Sequence, residues 1–150
     1  MLLLEVDPIV TPIDDKTNLI FSLTVPPKCE AVKIIFSYAP AFATAQEARE
    51  ALLRALPMYF TENQLEKLSV KQFLPLSNLI TVSCRSQSHG YLGCHHTKEV
   101  QQEIIIGPHS SRGFLPVQKL TGALEIMLNV HAAISSSIQV HLLVQSWKEK

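Results

Sequence analysis

The stretch GALEIMLNVHAAISSSIQVHLLVQ, residues 122–145, decides the fold class. Leu124, Ile126, Leu128 and Val130 alternate with Glu125, Met127, Asn129 and His131. After Ile134 and three serines, Ile138, Val140, Leu142 and Val144 alternate with Gln139, His141 and Gln145. Side chains of a strand point to opposite faces in turn, so each run is a strand with one apolar face and one polar face. A short serine connection between two such runs predicts a hairpin. With its turn centred on Ser135–Ser137, Ile134 faces Ile138, Val130 faces Leu142, and His131 sits opposite His141 on the polar side.

Working outward, the same period recurs. Leu19, Phe21, Leu23 and Val25 share a face until Pro26-Pro27, which cannot donate to a ladder. Val32, Ile34, Phe36 and Tyr38 form another, and strands are predicted over Leu79–Cys84 and Val100–Ile106, the latter closed by Gly107-Pro108. Six or more short alternating strands predict an all-β fold, an antiparallel β-sandwich of jelly-roll-like arrangement. One segment departs from it. Thr44 and Glu47 have the spacing of a capping box, and Ala45–Leu56 is rich in helix formers. Leu52, Leu53 and Leu56 would make its apolar stripe. Pro57 stops it, and 61–68 suits a second short helix. This helical excursion, at about 45–70, is too small for its own core and belongs to a single domain spanning 1–150.

The 13 basic and 13 acidic residues cancel, and no dense Lys/Arg run offers a handle on a phosphate backbone, which argues against nucleic acid as a partner. Near-zero charge removes self-repulsion and favours association, so a homodimer is one expectation. The three cysteines, Cys29, Cys84 and Cys94, fit neither a disulfide framework nor a zinc knuckle. Glu5 and Asp7 interrupt the opening apolar run Met1–Leu4, and no stretch approaches the roughly 20 apolar residues that cross a bilayer. A cytoplasmic setting, with no membrane partner, is expected.

Five of the six histidines and all five glycines lie between His89 and His131. If His131 and His141 oppose one another, their Cβ atoms lie about 4.5–5.5 Å apart, close enough for both imidazoles to bind one transition metal. Opposed histidines on an exposed face serve equally as hydrogen-bonded structural residues. His95-His96 is read as a turn leading into a strand, so the His96–Glu99 pair lacks the helical spacing that would put both on one face. Cys94 precedes two histidines, but catalytic partners meet through the fold and not along the chain. Ser88, Ser110 and Ser111 lack a nucleophile elbow. Asp14 and Asp15, with Asp7, are candidate calcium ligands, or simply turn formers before a strand. Gly90 and Gly93 complete no phosphate loop. Gly113-Phe114-Leu115-Pro116 reads as a tight turn with Phe114 tucked beneath it.

The succession HGYLGCHH, EIIIGPHSSRGFLP and TGALEIMLNVHA, followed by a closing strand, resembles the N-terminal β-sandwich of CehA/McbA-type metallohydrolases. In those proteins a PHP-type metallophosphoesterase domain follows the sandwich. The resemblance spans most of the chain and rests chiefly on residues 72–145. Leu124 stands where the family usually has Trp. Trp147-Lys148 occupies the place where the family continues into its first metal-binding motif, which is missing here. The resemblance therefore implies a free-standing accessory domain, with no family metal ligands to carry over and no resident cofactor. Three functions follow as expectations. The first is a non-catalytic binding module for a small molecule such as a sugar or phosphorylated compound, with His89, His95, His96, Arg112, His131 and His141 as polar contacts. The second is an interaction module that forms a homodimer or docks on a separately encoded hydrolase. The third is a small enzyme with a metal held by His131 and His141.

Overall fold

A computed structural model describes residues 1–95 and 100–148. Its strands are β1 (Leu2–Val6), β2 (Ile9–Val10), β3 (Asn18–Val25), β4 (Ala31–Ala39), β5 (Leu79–Ser86), β6 (Gly90–His95), β7 (Gln101–Ile106), β8 (Gly122–Ala132) and β9 (Ile138–Trp147). They form two sheets. One has the order β1-β9-β4-β7, with β2 also pairing β9; the other runs β3-β8-β5-β6. Every pairing within them is antiparallel.

The pairings have a simple logic. The first strands pair with the last (β1 and β2 with β9), then β3 with β8, β4 with β7, and β5 with β6. The chain is thus one long antiparallel ribbon. Rolling that ribbon brings β4 against β9 and β5 against β8, which closes the two sheets of a jelly roll. β1 and β2 act as one strand interrupted at Asp7-Pro8, where proline has no N–H to give and its carbonyl accepts from Val140.

The alternating faces fall where the sequence places them. Leu124, Ile126, Leu128, Val130, Ile138, Val140, Leu142 and Val144 are all buried, as are Val32, Ile34, Phe36 and Tyr38. They pack across the sandwich with Ile80, Val82, Ile104 and Ile106. Burial of each large aliphatic side chain contributes about 1.5–3 kcal/mol.

The predicted β8–β9 hairpin does not form. β8 lies in one sheet and β9 in the other, so Ser135–Ser137 is a corner between sheets. Val130 pairs with Ile80, while Leu142 pairs with Phe36 and Val6. His131 consequently does not face His141. Alternation reports which residues point inward, and two strands can point inward from opposite walls. Asn78 secures the corner. Its Oδ1 accepts from the backbone N–H groups of Ile134 (2.9 Å) and Ser135 (3.1 Å), and its Nδ2 donates to Ser135 Oγ (2.7 Å) and the Pro40 carbonyl (3.0 Å).

The helical excursion has the predicted start. In α1 (Ala45–Ala55) the Thr44 side chain accepts from Glu47 N–H, while Glu47 reaches back to Thr44 N–H and also accepts from Ser136 N–H at 2.5 Å. The buried stripe, however, is Ala48 and Leu52, one turn apart; Leu53 points to solvent and is 56% exposed. A 3-10 turn over Leu56–Met58 follows, and then α2 (Glu62–Leu65), capped by Thr61.

The His95 region also differs from the reading as a turn. Gly90–His95 is strand β6, with a bulge between the Cys84–Gly93 and Arg85–Tyr91 pairs. Its outer edge is covered by the β7–β8 connection, where Cys94 N–H donates to the Gly113 carbonyl and Leu115 N–H to the Leu92 carbonyl. Gly113-Phe114 is a tight turn with Gly113 at φ +94° and Phe114 buried, as expected.

Candidate functional site

Of the six side chains proposed as ligand contacts, the five among the described residues do not converge. His141, on β9, turns its two ring nitrogens to two different carboxylates: Nδ1 is 2.6 Å from Asp7 Oδ1, and Nε2 is 3.9 Å from Glu5 Oε1. It clasps the first strands onto β9. His131, at the end of β8, places Nε2 2.8 Å from Thr81 Oγ1. His95, on β6, sets Nδ1 2.6 Å from Oε1 of the buried Gln102 on β7, and so ties the facing edges of the two sheets. His89 is exposed at the β5–β6 turn, where its N–H donates to Ser86 Oγ and its ring meets Ser88 Oγ. Arg112 is exposed beside Gly113, on the connection between β7 and β8. His96 lies outside the described residues.

The geometric case for a metal between His131 and His141 fails with the hairpin, since the two belong to different sheets. Among the described residues no group of three or more His, Cys, Asp or Glu side chains could hold a metal ion. A carboxylate on each side of one imidazole also differs from a metal site, in which ligands converge on one point.

The outward face of the β3-β8-β5-β6 sheet carries a polar grouping. At one end Asn129, opposite Thr81 in register, donates through Nδ2 to Thr81 Oγ1 (3.3 Å) and Ser83 Oγ (3.2 Å). Cys94 Sγ lies 3.8 Å from Thr81 Oγ1. Thr81 and Ser83 are each 2% exposed, so the middle of this network is buried. His131 reaches the hydroxyl of Thr81, and burial pushes the Cys94 thiol up from its ordinary value, with the Thr81 hydrogen bond acting in opposition. An activated cysteine needs the reverse shift.

The other end is open. Tyr91, Arg85, Glu125 and Ser22 form one row across the four strands, each directly paired with the next. Tyr91 is 56% exposed. Beside the row is a depression of about 440 Å³ lined by Arg85, Ser86, Gln87, Gly90, Ala123 and Glu125. Arg85 and Glu125 face one another in register, yet neither is tied up in an ion pair with a described residue. The β5–β6 turn forms its rim through Gln87 and Gly90, and His89 precedes Gly90 in the chain.

Comparison with family models, curated proteins and solved structures finds no match. Sequence reasoning passed over Arg85, Glu125 and Tyr91 because it followed the histidines. The signal was present in part: Glu125 alternates with core residues Leu124 and Ile126, and Arg85 follows core residue Cys84. The register that aligns them with Tyr91 comes only from the fold. The described helices include none long and apolar enough to cross a membrane.

Proposed function

We propose that this domain is a non-catalytic accessory or binding module that holds a small polar ligand, of sugar or sugar-phosphate type, on the outward face of its four-stranded sheet. The observation that carries the reading is the Tyr91–Arg85–Glu125–Ser22 row beside an open polar depression. An exposed phenol ring offers an apolar face to the C–H side of a sugar ring and a hydroxyl to its rim. Arg85 presents a planar fork of donors suited to vicinal hydroxyls or a phosphate, and Glu125 accepts from hydroxyls. Polar groups that are not satisfied by one another retain their hydrogen-bonding capacity for a ligand. The resemblance to the sandwich domain of CehA/McbA-type enzymes supports an accessory role, with catalysis supplied by a hydrolase domain.

The test is a thermal-shift and calorimetry panel of neutral monosaccharides and sugar phosphates at millimolar concentration. A ligand that binds only the folded state raises Tm with concentration. The expected result is a rise for one sugar class that Arg85→Ala and Tyr91→Ala each abolish, with the unliganded Tm unchanged. Absence of any binder in the panel, or binding that survives both substitutions, overturns the site. Turnover of a phosphoester by the purified protein overturns the non-catalytic assignment.

A further inference from the structure

A second site, independent of the sheet face, lies where α1 leans on the corner of the sandwich. Four separate parts of the chain enclose a groove of about 390 Å³: the β2–β3 connection, one side of α1 with the turn after it, Leu76 ahead of β5, and the end of β8 with the residues after it. That volume is within the range of small-molecule sites, about 300–1,000 Å³. The walls are apolar. Ala51, Ala55 and Met58 form one side, and Leu76 and Ile134 contribute to the rest. Met58 is 79% exposed despite lining the groove, and Ile13, next to the lining residue Pro12, is 88% exposed. A large apolar side chain as open to water on a groove wall as Met58 gains burial when an apolar occupant enters.

The charges are the second observation. Lys16, Arg54 and Asp15 are the charged residues that line the groove, two cations against one carboxylate. Asp15 is already committed: one oxygen accepts from Ala133 N–H at 2.8 Å and the other pairs with Lys16 Nζ at 3.2 Å. Those bonds hold the carboxylate against the β8 end, while Lys16 itself adopts φ +60°, a left-handed conformation uncommon for a residue with a side chain. Arg54 has no charged partner among the described residues. An apolar trough with a surplus positive charge at its rim matches a ligand with an apolar chain and one acidic headgroup.

We infer that the groove between α1 and the β8 end binds a medium-chain amphipathic anion, its chain along Ala51, Ala55 and Met58 and its headgroup at Arg54 and Lys16. Decanoate, decyl phosphate and decanol are titrated into the full chain by calorimetry, below their aggregation thresholds. One saturable site is expected for at least one of the anions, with decanol weaker by about tenfold, the size of one charge-assisted hydrogen bond. The headgroup that binds tighter identifies the acid. Arg54→Gln, at an exposed position, is expected to weaken the anion about tenfold and leave decanol unchanged. Ala51→Trp fills the trough and is expected to abolish binding of all three probes, with circular dichroism verifying an intact fold. Arg85→Ala leaves decanoate affinity unchanged, which separates this site from the sheet face. The inference is overturned by lack of saturable binding, by equal affinity for decanol and the anions, by full binding in Ala51→Trp, or by a dimer that Ala51→Trp dissociates.

Discussion

A Cβ placed on Gly93 would lie 2.0 Å from the carbonyl oxygen of Gly113, and one on Gly113 would lie 2.6 Å from the carbonyl of Cys94. The two glycines are where the β7–β8 connection seals the free edge of β6, and Gly93 and Phe114 form a bridge there. Gly93 has φ +134°, a conformation that side chains scarcely adopt. The glycines of the two turn-like motifs, GYLGCHH and GFLP, are thus halves of one contact.

Gly93→Ala therefore meets both a backbone clash and a forbidden dihedral, and is expected to cost roughly 2–4 kcal/mol. Gly90 also has positive φ, at +73°, but faces open space. Gly90→Asn is expected to cost well under ~1 kcal/mol, because asparagine tolerates the left-handed region. Urea unfolding of the two variants separates close approach from dihedral strain. Equal losses would contradict this account.

Asn78 is the second position where one side chain carries much of the local structure. It is buried and makes four hydrogen bonds that join the chain near Pro40 to the corner between β8 and β9. Asn78→Ala leaves buried backbone N–H groups without acceptors, and an expected loss of about 3 kcal/mol follows from desolvation. Asn78→Asp keeps the acceptor and loses the donors, so it is expected to fall between wild type and alanine near neutral pH. Denaturation midpoints measure both.

Glu47 couples the start of α1 to the same corner. Backbone N–H groups of Ser136 and Thr44 stabilise its ionised form and hold its carboxyl at about 2, below the ordinary 4.5. A depressed folded-state value adds stability that is fully present above about pH 4.5 and is lost as pH falls through about 2. Chemical denaturation between pH 6 and pH 2 is expected to show this decline. In Glu47→Gln that portion of the slope disappears, and a slope identical to wild type would refute the clasp.

Leu52 and Leu53 test which face of α1 is buried. Leu52 is 8% exposed and Leu53 56% exposed. Leu52→Ala is expected to cost roughly 2–3 kcal/mol, and Leu53→Ala no more than ~0.5 kcal/mol. The reverse order in thermal melts would place the helix differently on the sandwich.

The thiols offer a check without mutagenesis. Burial, with a smaller effect from Cys94, pushes Cys84 up to about 12, whereas Cys29 and Cys94 are only partly buried. Reaction with a thiol reagent near pH 8 should leave Cys84 unmodified until denaturant is added, as mass spectrometry of peptides would reveal.

Sequence alone determined the fold class, the inward face of most strands and the capped start of α1. Each of these depends on neighbours within a few residues: period-two burial for Leu124–Val130 and Ile138–Val144, and the Thr44–Glu47 spacing for the cap. Tertiary structure decided the partners. Leu4 meets Val144, and Asn18 meets Asn129, through pairings separated by most of the chain. Period two cannot distinguish a strand's partner in its own sheet from a strand on the opposite wall, because both turn the same side chains inward. His131 and His141 were thus paired on paper and separated in space, while Arg85, Glu125 and Tyr91 were aligned only once the ribbon had rolled.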